Sequence, residues 1–484
     1  MSLKKNVLYS GILTTSLYVF QFITYPYVAR VLGVTNIGIC NLVQSIVQYF
    51  TLFSMMGISL LGTREIAKCN HNRERLNTVF SQLFTLNIVT TVIVFFIYVA
   101  FVELYPQFAP YKKLLYIGAV QLLLNTFMVE WLFRGLEDFK YITTRSLIVK
   151  LVYVVSVFLL IRTSADYVLY IAISSAVFVV NGIINWAYRA RFVKYSFLSY
   201  RSVKAYVKPF LLLGIQGILP TFYTTFNVLI LGVVCGATQV GYYTTATKIE
   251  NIILALYSSF TMVMMPYVSA MIERGDGKNV ARIIHHSFLL LFAFVLPCIV
   301  FVEVYASDVV AFIAGSGYEG AVVPMRIVMP LMLVIGIEQI LIVQVLIPSR
   351  QDKIVFYVYL IGAVVGLITN MYFIRQFQSI GASVAWFFSE ATIMILALLT
   401  VNRMRMLEVF SFLKELFFHL FFFIPLGILL LLVQSVLKAD AFECMFLGFL
   451  ITVGYTHIVL QYLVKNETYR NALVSLISVF RKVK

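Results

Sequence analysis

The sequence predicts an all-α polytopic membrane protein of about fourteen transmembrane helices, built as two parallel six-helix bundles with two helices added at the C-terminal end. Three observations predict it. The 484-residue chain is 61% hydrophobic and only 12% charged, with apolar runs of about twenty residues following one another, as bilayer-crossing helices require. The basic residues cluster at every second gap between those runs. A short glycine-bracketed stretch, "VLGVTNIGICN" at 31–41, returns as "VCGATQVGYYT" at 234–244.

Lipid offers no hydrogen bonds to the backbone, so uninterrupted apolar runs can cross it only as helices. Strands of a membrane barrel would be polar at every second residue, and these runs are not. The predicted spans are 6–30, 37–62, 78–102, 113–133, 146–162, 167–188, 208–234, 240–271, 281–304, 322–347, 353–374, 380–402, 413–436 and 443–464. Lys4 and Lys5 precede a run too long for a signal-peptide core, with no small-residue cleavage site, so the first span is expected to stay.

With the N-terminus inside, 28 basic residues fall in the inner segments and seven at the outer ones. That bias places both termini in the cytoplasm, and an odd number of spans would scramble it. Membrane lipid is the partner that the net charge of +16 implies; nucleic acid is not required. The five cysteines are scattered without CxxC or Cys/His spacing, and His285-His286 has no partner ligands in sequence, so neither a disulfide framework nor a metal site is expected.

The repeat defines the domains. Gly33, Thr35 and Gly38 fall on Gly236, Thr238 and Gly241 at an offset of 203 residues, which grows to 213 by Lys140 and Lys353. The extra ten residues are expected in an outer loop around 306–320, and Glu303, Asp308 and Glu319 of the loop at about 303–322 read as solvated loop acids. Six spans repeated in the same orientation make parallel repeats. The division is 1–200 for the N-terminal six-helix lobe, 201–405 for the second, and 406–484 for two further helices and a cytoplasmic tail. Two bundles with so little mass outside the membrane suggest transport; no paired-carboxylate loop supports an enzyme that cleaves or joins glycans.

Four stretches carry a family resemblance: "GISLLGTREIAKCNHNRERLN" after the second span, "EWLFRGLEDFKYITTRSLIVKL" across the fourth inner loop, "GATQVGYYTTATKIENI" opening the eighth span, and "SIGASVAWFFSEA" at the twelfth. In order and spacing the chain resembles bacterial Wzx-type polysaccharide flippases, of the MOP superfamily that also holds MATE drug exporters and lipid II flippases. The resemblance covers spans one to twelve. It implies a MATE-like fold in the bacterial cytoplasmic membrane and an undecaprenyl-pyrophosphate-linked oligosaccharide as cargo. It implies, further, association with polysaccharide polymerase and chain-length machinery. Drug or cation antiport is the alternative. No cofactor is expected beyond a coupling H+ or Na+. Many relatives carry an acid in the seventh span where this chain has Asn227.

Ionisable groups cost about 2.5–3.5 kcal/mol at a helix centre on insertion scales, so those inside spans are the candidates for function. Lys248, about 10 Å down the eighth helix from its outer turn, is the candidate cation for a diphosphate. Arg30, at the outer end of the first span, and Arg64, at the inner end of the second, are further candidate substrate contacts; each also fits interfacial placement alone. Glu338 and Glu390, mid-span in the second lobe with no basic residue one turn away, are the candidate ion-coupling acids, with Asn370 and Asn227 offering neutral oxygens. Glu130 reads instead as a local ion pair with Arg134 at i+4.

Overall fold

The computed structural model describes residues 3–69, 72–196, 200–404, 406, 408–436, 441–464, 469 and 470. Among them no strand occurs, and the chain runs as α1 (Leu3–Met55), α2 (Ile58–Ala67), α3 (Arg73–Leu104), α4 (Lys112–Asn125), α5 (Glu130–Gly135), α6 (Phe139–Leu160), α7 (Tyr167–Arg189), α8 (Tyr200–Cys235), α9 (Ala237–Glu273), α10 (Gly277–Ala314), α11 (Val322–Val328), α12 (Leu331–Gln339), α13 (Asp352–Arg403), α14 (Val409–Val436) and α15 (Ala441–Ile458). Ten helices of the described residues are long and apolar enough to cross a membrane. Two of them hold two spans each. α1 breaks at Gly33 (φ 75°, ψ 167°) and α13 at Gln378 (φ 52°, ψ −124°). Counting those as pairs gives twelve membrane-crossing segments among the described residues; α9, bent by 43°, and α8, with its apolar stretch Thr225–Cys235, complete the fourteen that the sequence predicts.

Gly33 and its repeat equivalent Gly236 (φ 85°) both adopt the left-handed backbone that glycine alone takes without strain. Gln378 has no such freedom, and the α13 hairpin is held by packing instead. Gly362 lies against Ile393, and the Ser389 Oγ donates to the Gly362 carbonyl at 2.8 Å.

The chain forms two compact units, Met1–Thr244 and Thr245–Lys484. In the first, an aromatic core of Phe80, Phe84, Trp131 and Phe133 closes around α2, α3 and α5. Two breaks interrupt its helices, at Met56 (φ 28°) and at Val129 (φ 36°). Broken helices survive in lipid only where other groups take up the freed backbone. Here the Ser54 carbonyl accepts from Asn87 Nδ2 and Thr90 Oγ1, each at 3.0 Å. The Met128 carbonyl accepts from Asn185 Nδ2. Ser54, Thr91 and Thr126 hydroxyls link α1, α3 and the end of α4, at 2.9 and 2.7 Å.

One loop expectation is corrected. Residues 303–314 are not loop: α10 runs through them to Ala314, bending at Tyr305, and only 315–318 turn, with positive φ at Gly315 and Gly317. The reason is in the sequence, where "YASDVVAFIA" keeps apolar residues at helical spacing; Tyr305, Ala306, Val309 and Val310 are buried. Glu303 and Asp308 are therefore half-buried helix residues, not solvated loop acids.

Candidate functional site

The second unit brings together three buried carboxyl groups. Glu338 lies at the end of α12, just before a π-helical stretch (Ile340–Leu346), a local widening of the helix often found at functional positions. Glu390 lies on the second half of α13 and Glu250 on α9. Their exposures are 5%, 3% and 0%. The Glu338 and Glu390 side chains hydrogen-bond to one another, and the Tyr359 hydroxyl bonds Glu338. Trp386 Nε1 donates to Glu390 Oε1 at 2.8 Å. Neither oxygen of Glu250 has a hydrogen-bond partner among the described residues, and Glu250 is close enough to Glu390 for their charges to act on each other.

Ionised carboxylates only accept hydrogen bonds, so a bond between two carboxyl groups requires a proton on one of them. The Glu338–Glu390 pair therefore holds a proton whenever that bond is made. Neither Glu338 nor Glu250 forms an ion pair with a described residue. Among the described residues, no three His, Cys, Asp or Glu side chains are placed to hold a metal ion together.

The structure thus places Glu338 and Glu390, far apart in sequence, at one site. Asn370 is buried on the first half of α13, with its Nδ2 donating to the Gly366 carbonyl one turn back at 2.7 Å. Asn227 belongs to the first unit. It is buried on α8 and donates to the Tyr243 hydroxyl at 3.0 Å, across the turn at Gly236.

Two of the candidate cations, Arg30 and Arg64, belong to the first unit, and Lys248 belongs to the second. Arg30 is exposed three residues before the Gly33 break, and Arg64 is exposed in the last turn of α2. The helix from Gly33 to Met55 separates them, about 35 Å at 1.5 Å per residue, so they do not share one contact point. Glu65, next to Arg64, pairs with Lys68 at 2.7 Å. Lys248 is half-buried on α9.

Glu250 escapes the sequence reading, although a carboxylate mid-span is a signal in itself. Lys248 stands two residues away and looks like its neutraliser; on a helix, however, residues i and i+2 face different sides. Glu130 does pair with Arg134, at 3.5 Å, but its tighter partner is the buried Arg145 of α6, at 2.6 Å. Arg145 also donates to Asn181. Spacing along one helix shows the first pair, and only the packing of α5 on α6 shows the second.

Comparison with known proteins agrees with this architecture. The "Putative O-antigen transporter" of Escherichia coli (strain K12) is 25% identical over 84% of this chain and 98% of its own length. Among solved structures, the lipid II flippase MurJ in an inward closed conformation superposes with a TM-score of 0.76, at 14% identity, over 95% of this chain and all of MurJ. An inward-facing MATE-family multidrug transporter of the MOP superfamily superposes at 0.56, with 13% identity, over 82% of this chain and 99% of its own. At those identities the two structures establish a shared fold. The profile of the family described as "Polysaccharide biosynthesis protein" matches residues 3–272, more than half of the sequence. The chain belongs to that family.

Proposed function

We propose that the protein is a membrane transporter of polysaccharide biosynthesis that flips a lipid-linked glycan, and is not an enzyme. The observation that carries this reading is the match to the Escherichia coli transporter along nearly the whole of both chains. The family match and the MurJ-like fold support it. In the finer form of the proposal the cargo is an oligosaccharide on undecaprenyl pyrophosphate. It moves from the cytoplasmic to the outer leaflet of the bacterial cytoplasmic membrane by alternating access. Residues 1–200 and 201–405 act as two lobes and 406–484 as two added helices with a cytoplasmic tail. Both termini are cytoplasmic, and the product passes to polymerase and chain-length machinery.

Lys248, Arg30 and Arg64 serve the anionic cargo in this reading. Glu390, Glu338 and Glu250 serve the coupling ion, with Asn370 and Asn227 as polar neighbours. A proton is the simplest coupling ion, because the Glu338–Glu390 bond already requires one. The test is deletion of the gene in a host without a second flippase, followed by extraction of precursor from the inner leaflet. Precursor should accumulate and surface glycan should fall. Normal surface glycan after deletion overturns the proposal. Drug efflux restored by the chain in a sensitive host would favour antiport instead.

A further inference from the structure

The first unit contains a cavity of about 540 Å³ that none of the candidate residues above accounts for. Its size lies in the ordinary range for small-molecule sites, roughly 300–1,000 Å³. It opens between the second half of α1, the broken α4–α5 span and α7.

Three features distinguish it from a packing defect. The first is chemistry. The amides of Gln44, Gln48 and Asn125 stand in its wall, half-buried or exposed. Each amide offers donors and an acceptor together. Hydroxyl and acetamido groups on a sugar need that combination, whereas an acyl chain would leave it unmet.

The second is unmet hydrogen bonding. Trp131 is a wall residue, and its indole N–H has no hydrogen-bond partner among the described residues. Trp131 is only 2% exposed. Buried polar groups are nearly always satisfied, and each exception calls for a cause such as a bound group. Leaving one unmet costs about 1–3 kcal/mol.

The third is the backbone. Val129, also in the wall, has φ 36°, a left-handed conformation that β-branched residues avoid. That strain interrupts the fourth span and places Glu130 and Trp131 in the wall. Interrupted helices are the usual way for membrane transporters to build a polar site at depth. Glu130 is the one charged wall residue among those described, and Arg145 and Arg134 hold it. The wall therefore presents no unmatched carboxylate.

We infer that this cavity binds an uncharged sugar unit, taken through the Gln44, Gln48 and Asn125 amides and the indole N–H of Trp131. The inference rests on the lipid-linked glycan reading and deepens it: the sugar part of the cargo has its own subsite within the first unit.

Purified full-length protein in nanodiscs is titrated with a free neutral hexose disaccharide, with glycerol and inorganic phosphate in parallel. Binding is followed by calorimetry and saturation-transfer NMR. Saturable binding of the disaccharide alone is expected. Trp131→Phe keeps the ring but removes the N–H, and Gln48→Ala/Asn125→Ala removes two amides. Each should weaken binding at least about five-fold, the equivalent of one net hydrogen bond, with the melting temperature unchanged. No saturation up to about 50 mM, or equal binding of glycerol, overturns the inference. So does binding that the variants leave untouched. A negative titration on protein that still flips precursor in vesicles overturns the sugar subsite alone. Disaccharide binding by a chain whose deletion leaves surface glycan normal upholds the subsite and overturns the transport reading.

Discussion

Thr35 and Thr238, 203 residues apart, hydrogen-bond to each other through their hydroxyls at 2.9 Å. They are equivalent positions of the repeated turn, and the two turns meet within the first unit. The surrounding contacts are reciprocal. A Cβ on Gly38 would overlap the Ala237 carbonyl, and one on Gly241 would overlap the Val34 carbonyl. Asn41 donates to Thr244 at 2.7 Å, again at a separation of 203.

That reciprocity predicts that Gly38→Val and Gly241→Val are equally damaging. Each forces two backbones apart, at a cost of about 1–3 kcal/mol or more. Melting curves of the purified variants measure it. A fall of several degrees for one and none for the other would contradict that reciprocity.

The carboxyl cluster predicts that Glu338→Gln and Glu390→Gln behave alike, because each amide can still hydrogen-bond the remaining acid. Both variants should fold normally and lose dependence on an imposed pH gradient. Glu250→Gln should slow flipping without changing the melting temperature, since Glu250 has no hydrogen bond to lose among the described residues. Flipping in reconstituted vesicles under pH, sodium or voltage gradients is the measurement. Wild-type gradient dependence in a Glu338/Glu390 double Gln variant would leave the acids as interhelical bonding groups only.

Arg145→Met should destabilise the first unit by about 3–5 kcal/mol, because it leaves the partly buried Glu130 carboxylate without its closest cation. Adding Glu130→Gln should recover at least half of the loss. Denaturant titration of the two single variants and the double variant separates pair energy from packing. If the double variant is no better than Arg145→Met alone, Arg145 acts mainly through Asn181.

Membrane orientation is tested at Ser316, exposed in the turn after α10, and at Lys278, at the start of the same helix. Cysteines placed there should label from opposite sides of the membrane, Ser316→Cys from outside. Labelling of both from one side would refute the fourteen-span orientation.

The sequence by itself determined the all-helical membrane class, the number of crossing segments and the two copies of a glycine turn. These follow from local properties. A bilayer imposes one helix length on apolar runs, and a left-handed backbone at Gly33 and Gly236 depends on the residue itself. The sequence also picked out Glu338 and Glu390, because a mid-span carboxylate is conspicuous wherever it points. Only the tertiary structure decided that those two acids share a hydrogen bond, that Glu250 joins them, and that Arg145 rather than Arg134 is the closer partner of Glu130. It alone put α10 through 303–314 and broke the fourth span at Val129, opening a polar cavity beside Trp131. Each of these depends on which face one helix turns toward another. That is set by packing between segments distant in sequence, and no spacing along a single helix records it.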